Sequence, residues 1–394
     1  MSDAVVIVGA ARTPMGGMLG DFANAPAVLL GATAIEAAME RAKIKPEHIA
    51  EVIMGCVLAA GQGQAPARQA ARAAGVADAS GATTVNKMCG SGMKAVMLAH
   101  DALLAGSGVA YVAGGMENMS NAPYLLPKAR AGMRMGHGQL IDHMFFDGLE
   151  DAYDKGRLMG SFAEECANRY HFTREAQDAF AIESLRRALA ATEEGKFTDE
   201  ISPVALKERK GERVVAQDEQ PAKARPEKIP QLKPAFRADG TVTAANASSI
   251  SDGAAALVLM RESDALAQGL TPLARIVAHA SHARAPSEFA VAPVGALQKL
   301  LQKANWSVDE VDLWEINEAF AVVTMAAMHD LKLDHAKVNV HGGACALGHP
   351  IGASGARILV TLLYALQYYG KTKGVATLCI GGGEATAMAI ERLA

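Results

Sequence analysis

The chain has no apolar stretch of the ~18–20 residues a bilayer-crossing helix needs, because Gly, Pro or a charged residue interrupts each run. It has little net charge: 38 Lys and Arg against 42 Asp and Glu leave −4. That balance makes no electrostatic case for a nucleic acid or a membrane surface as partner. Several catalytic signatures are also missing. No Gly-x-Gly-x-x-Gly follows the first apolar run, and there is no Walker-type phosphate loop, His-Glu-x-x-His or Gly-x-Ser-x-Gly. Nucleotide hydrolysis, zinc proteolysis and serine hydrolysis lose their sequence support. Cysteine is sparse and odd in number, with no framework spacing: Cys56, Cys89, Cys166, Cys345 and Cys379. These read as free thiols of a reducing compartment. The start runs straight into Val5–Val8 without a basic leader, and Glu391-Arg392-Leu393-Ala394 carries no targeting signal, so the cytoplasm is expected.

What is present is an ordinary globular composition, 394 residues with 50% hydrophobic and 20% charged. The length suggests two or three domains. Short β-rich runs alternate with Ala-rich amphipathic stretches in the first 120 residues and again from about 274 onward, which argues for an α/β class. The spacing predicts strands at Val5–Val8, Glu51–Val57, Gly108–Gly114, Ala274–Ala278, Leu313–Ile316, Lys337–Val340 and Thr377–Ile380. It predicts helices at Ala25–Arg41, Gly92–Ala105, Val294–Ala304, Glu318–His329 and Ser354–Tyr368. Between the halves, roughly Asn121–Asn246, the texture changes. It contains a helix with Thr173 as N-cap and a charged stretch, Lys207–Arg237, with nine Lys and Arg against five Asp and Glu. That stretch is either a solvated loop or a flank for an anionic ligand.

The halves echo each other. Val85-Asn86-Lys87-Met88-Cys89-Gly90 parallels Val338-Asn339-Val340-His341-Gly342-Gly343, and Val112-Ala113-Gly114-Gly115-Met116-Glu117 parallels Ile380-Gly381-Gly382-Gly383-Glu384. Two strand–glycine–helix units in the same order suggest a duplicated α/β domain.

Cys89 sits at a strand-to-helix junction, where free N–H groups and the positive helix end favour thiolate over thiol. A depressed Cys89 pKa is expected. His349, among the glycines and Pro350 of Gly342–Gly352, is the best-placed base. His341, Cys345 and His349 have i, i+4, i+8 spacing, but the glycines and Pro350 argue against the helix that would align three metal ligands, so no metal is expected. Cys379 closes an apolar strand before Gly381-Gly382-Gly383. Asn317 closes another, either as a helix N-cap or as an amide that holds a water or an oxyanion.

Together, Asn86-Lys87-Met88-Cys89-Gly90-Ser91-Gly92, Asn317-Glu318-Ala319-Phe320, Gly348-His349-Pro350-Ile351-Gly352 and Cys379-Ile380-Gly381-Gly382-Gly383 resemble the thiolases, in particular the acetyl-CoA acetyltransferase (acetoacetyl-CoA thiolase) group. The resemblance runs from Ala10-Ala11-Arg12-Thr13-Pro14 to the last strand. It implies a five-layer αβαβα fold of two similar domains. Residues 1–120 plus about 247–271 would form the first, 121–246 an inserted loop domain for coenzyme A contacts and oligomerisation, and 272–394 the second. It implies Cys89 as acyl-accepting nucleophile, His349 as its base, Cys379 as acid/base for the second substrate, Asn317 as holder of an oxyanion water and Gly381 as a backbone oxyanion donor. Ser248, Leu149, Met159, Phe236 and Phe320 would line the pantetheine and acyl pocket, with Lys223 and Arg225 near the coenzyme phosphate. It further implies no permanently bound cofactor, coenzyme A and its thioesters as substrates, and a homotetramer or dimer. Three positions depart from the family pattern: His341 stands where Asn is common, Cys345 replaces an aliphatic residue, and Leu158 replaces a histidine before Met159. The alternatives are a broader-chain 3-ketoacyl-CoA thiolase, a ketoacyl-synthase-type condensing enzyme, for which Cys379 occupies the place of an expected histidine, and a coenzyme A-binding protein without turnover.

Overall fold

The computed structural model describes residues 3–209 and 211–393. Its main sheet runs, edge to edge, Leu313–Ile316, Lys373–Ile380, Glu384–Arg392, Ala274–Ala283, Val5–Arg12, Ser251–Arg261, Ala110–Asn118, Ile49–Gly55 and Gly81–Val85; Gly16–Gly17 pairs with Ser251–Arg261 off this path. The strands Val5–Arg12 and Ser251–Arg261 are almost continuously buried, as the apolar run Val5–Ala11 requires.

The sheet is two copies of one pattern joined at a short seam. In the first half, Val5–Arg12 pairs antiparallel with Ser251–Arg261, that strand antiparallel with Ala110–Asn118, and Ile49–Gly55 and Gly81–Val85 follow in parallel. In the second half, Ala274–Ala283 pairs antiparallel with Glu384–Arg392, that strand antiparallel with Lys373–Ile380, and Leu313–Ile316 follows in parallel. The seam is the antiparallel pairing of Val6 with Arg275 and Ile7 with Ala274. Helices repeat too: Ala27–Ala42, Pro66–Ala73 and Ser91–Leu104 correspond in order to Ala292–Ala304, Ala321–Leu331 and Ser354–Tyr368.

Three apolar cores make the layers. One lies between Ala27–Ala42 with Pro66–Ala73 and the first half's sheet. One surrounds Ser91–Leu104 and Ser354–Tyr368, between the two half-sheets. The third lies between the second half's sheet and Ala292–Ala304. The expected five-layer duplicated arrangement is what forms. Burial of alternate faces of each strand drives it, since each sheet face needs a helical layer against it.

Two expectations change, and one helix was not foreseen. Lys337–Val340 is not a strand: His335–Lys337 is a 3₁₀ turn and only Val338 bridges to Trp314. The Asn339 side chain takes over the missing ladder, with Oδ1 accepting from Ile316 N at 2.8 Å and Nδ2 donating to Ile316 O at 2.8 Å. The second echo is out of register, because Glu117 lies inside Ala110–Asn118 whereas Glu384 begins the next strand. The helix Pro66–Ala73 escaped a periodicity reading through its shortness. Thr173 does cap Arg174–Glu193, its Oγ1 accepting from Ala176 N at 3.2 Å. Between Asn118 and Ser251 the chain leaves the sheet and returns, covering one end of it.

Candidate active site

The two middle-layer helices bring the candidate residues together. Their N-terminal turns touch through glycine: a Cβ at Gly355 would lie 2.4 Å from Met93 N, and one at Gly92 2.7 Å from Ala356 N. Cys89 stands just before Ser91–Leu104 and His349 just before Ser354–Tyr368, so this crossing sets them side by side. Gly115 completes the approach, because a Cβ there would lie 2.1 Å from Gly352 O. The buried Glu117 carboxylate then pins the His349 loop to the first half, accepting from Gly352 N at 2.8 Å, Val57 N at 3.0 Å and Leu58 N at 3.0 Å.

Cys89, Leu149, Met159, Phe236, Ser248, Phe320, His349, Cys379 and Gly381 line one apolar cavity of about 370 Å³. Lys223 and Arg225 do not reach it. They line an adjoining cleft of about 330 Å³, which shares Ala244 and Ser249 with the cavity. Lys223 is tied to Glu219 in an ion pair. Ser248 Oγ donates to Ala319 O at 3.0 Å, so its hydroxyl hydrogen is already used. Asn317 is not a helix cap, since that helix begins at Ala321 after Phe320.

His349 is held in one tautomer. Ser354 Oγ donates to Pro350 O at 2.9 Å, so it accepts from His349 Nδ1–H at 2.5 Å. His349 Nε2 is buried with no protein partner, as is Asn317 Oδ1, and Asn317 Nδ2 lies 3.5 Å from His349 Nδ1. An imidazole oriented this way presents an uncommitted lone pair, whereas Asn317, 1% exposed, is not among the residues that line the cavity. Burial holds His349 far down, at about 3, so the ring is neutral.

The expected depressed Cys89 pKa is overturned. Burial pushes the thiol up to about 11, although the Gly381 and Cys89 backbone N–H groups pull it down. Desolvation outweighs these donors because an apolar wall faces the sulfur. Cys379 is raised well above its ordinary value, first by burial and then by the nearby Cys89. Both thiols are neutral at rest, beside a neutral base.

The three residues of the suspected ligand spacing diverge. His341 packs among Phe197, Tyr368 and Tyr369, ring centroids 5.7, 6.0 and 5.5 Å away. Cys345 N donates to Glu318 Oε2 at 3.0 Å, and only His349 lines the cavity. Sequence reasoning missed Ser354 and Glu117. The available signals were a serine opening the helix after His349 and a lone carboxylate in an apolar strand. It also missed that Met88, immediately before Cys89, has a left-handed backbone with φ 47°.

Residues 5–263 match the thiolase N-terminal domain and residues 270–392 the thiolase C-terminal domain. The chain belongs to the thiolase family. Among its relatives, an acetyl-CoA acetyltransferase of Escherichia coli K12 is 56% identical over 98% of this chain and 99% of its own length. One of Cupriavidus necator is 51% identical over 98% and 99%. A crystal structure of the Bacillus anthracis acetyl-CoA acetyltransferase superposes with a TM-score of 0.97 at 43% identity, covering 100% of this thiolase and 99% of that chain. The Acat5 thiolase of Ascaris suum, in complex with coenzyme A, gives 0.93 at 43% identity, covering 99% and 100%. The thiolase fold read from the motifs is therefore the fold of this chain.

Proposed function

We propose that this thiolase is an acetyl-CoA acetyltransferase, which joins two acetyl-CoA into acetoacetyl-CoA and free coenzyme A and runs in reverse as thiolysis. One observation carries the reading: Cys89, His349 and Cys379 line a single apolar cavity, with His349 Nε2 free. In the first half-reaction the Cys89 proton passes to His349 Nε2 as Sγ attacks the thioester carbonyl. The backbone N–H groups of Cys89 and Gly381 receive the oxyanion. The departing coenzyme A thiolate takes the Cys379 proton, leaving Cys379 as thiolate beside an imidazolium. In the second half-reaction Cys379 removes an α-proton from the next acetyl-CoA, and His349 Nε2–H with an Asn317-held water stabilises the enolate. The enolate attacks the acyl carbon, the Cys89 thiolate leaves, and His349 returns its proton.

The aromatic wall supports a short acyl group over a long one. Phe320 lies between Phe236 and Phe289, ring centroids 6.0 and 6.2 Å away, and Leu158 adds an apolar side chain to the wall. In this reading residues 121–246 serve coenzyme A binding and assembly. Arg225 and Lys228, which form no ion pair among the described residues, face the cleft where the coenzyme phosphate would lie. Exposed Tyr124, Leu126, Met135 and Leu140 support burial of this insertion in a homotetramer. Among the described residues no helix is long and apolar enough to cross a membrane, and five unbridged thiols support a cytoplasmic site of action. The test is steady-state thiolysis of 3-ketoacyl-CoAs of increasing length, with size-exclusion light scattering for the assembly. Acetoacetyl-CoA should be cleaved best; no cleavage at any length removes the proposal.

A further inference from the structure

The helix Ser91–Leu104 has a second end, roughly 20 Å from the end next to Cys89 at 1.5 Å per residue. There Asp101 sits in the last turn with His100 beside it, and His279 reaches across from the strand Ala274–Ala283 of the other half. His279 Nε2 lies 2.8 Å and His100 Nδ1 3.0 Å from the same Asp101 Oδ1. One donor atom from each of the three residues falls within 4.8 Å of the others. The imidazoles are largely covered, 12% and 17% exposed, while the carboxylate is 54% exposed. The helix's last turn carries no Lys or Arg of its own, and Arg261 Nη1 caps it from the neighbouring strand by donating to Leu103 O at 3.1 Å. Lys303 spends its ammonium on His279 O at 3.1 Å.

The geometry points to a divalent transition-metal site built by His100, Asp101 and His279, a staple between the two halves of the fold. Two imidazoles and a carboxylate suit zinc, cobalt, nickel or copper rather than magnesium or calcium. The solvent-facing side leaves a fourth position for water. Binding asks each neutral imidazole only to change tautomer: the proton moves to Nε2 in His100 and to Nδ1 in His279. The freed lone pairs and the carboxylate then face the ion, and no proton is lost. Spacing could not show this, because Asp101 and His279 are 178 positions apart.

Titration of the metal-free full-length protein with Co²⁺ tests the site. One ion per chain is expected, with a d–d spectrum free of thiolate-to-cobalt charge transfer, because no cysteine is a ligand. His279→Gln and Asp101→Asn should each weaken Co²⁺ binding by about 100-fold or more, since even outer-shell changes cost about 10–100-fold. Zn²⁺ should raise the Tm of the parent and not that of either variant, whose metal-free Tm should match the parent's. If His279→Gln lowers the metal-free Tm, His100→Gln gives the same reading from the helix side. A charge-transfer band in the parent, or parent-like affinity in the ligand variants, overturns the proposal.

Discussion

The two halves of this thiolase place the same elements in the same order, and they differ where their strands end. After Gly81–Val85 the first half needs only a tight turn before its middle-layer helix, and that turn carries Cys89. After Val338 the second half inserts the loop Gly342–Gly352, with one helical turn at Ala344–Leu347, and that loop carries His349. After Ala110–Asn118 the first half gives way to the long insertion, whereas after Lys373–Ile380 the second half turns back within three glycines, with Cys379 and Gly381 at the turn. Both halves bend left-handed near the strand end, at Met88 and at Asn339, each with φ 47°. Asn tolerates that conformation and uses its amide to mend the sheet; Met does not, so strain sits beside the proposed nucleophile. The duplication supplies a scaffold, and the turns supply divergent chemistry.

If the nucleophile belongs to the first half and the α-proton base to the second, their deletions differ in kind. Cys89→Ala should form no acetyl adduct with acetyl-CoA, and Cys379→Ala should retain an adduct and stall. Each loses ~10²–10⁴ or more in condensation rate. Intact-protein mass spectrometry reads both outcomes, and an adduct on Cys379 in Cys89→Ala would reverse the assignment.

The cross-half pair Cys89–His349 should not titrate near neutrality. His349, held down at about 3, is neutral above that pH, and Cys89, pushed up to about 11, stays protonated below it. Single-turnover acylation is therefore flat through the neutral range. A limb near the ordinary histidine value of 6.5 would sink the neutral-pair reading. His349→Asn should cut acylation by about 10²–10⁴.

Asn339→Ala should lower unfolding free energy by ~1–3 kcal/mol in urea titration, because it strands the buried N–H of Ile316 and removes a donor from the buried Glu318 carboxylate. Unchanged stability would show that Asn339 does not substitute for a strand.

In the insertion, Arg225→Glu should raise KM for acetoacetyl-CoA by about ten-fold with little change in kcat, a loss of ~1.4 kcal/mol in uniform binding. Lys223→Glu should do less, since Glu219 already engages that ammonium. Equal effects would undo the distinction.

Met88→Gly carries the smallest effect. Relief of the left-handed strain should roughly offset the entropy glycine adds to the unfolded chain, leaving stability within about 1 kcal/mol of the parent, while kcat falls as Cys89 gains freedom. A kcat unchanged by the substitution would mean that the strain does not position the sulfur.

Local sequence decided a good deal. The strand Leu313–Ile316 and the helix Ser354–Tyr368 fall where periodicity set them, because apolar spacing follows from which face must leave water. The residues gathered at the cavity were legible too: glycine and proline around Cys89, His349 and Cys379 mark backbone that no ordinary element needs. Tertiary structure decided the rest. The Cys89 pKa follows from the apolar wall that faces the sulfur, which no neighbour in sequence reveals. The His349 tautomer depends on where Ser354 sends its own hydrogen. Lys337–Val340 has strand-like residues, yet Asn339's side chain took the hydrogen bonds a strand would have made. Burial and partnership are properties of the packed chain, so the sequence by itself determined which groups could react, and only the fold decided their protonation and aim.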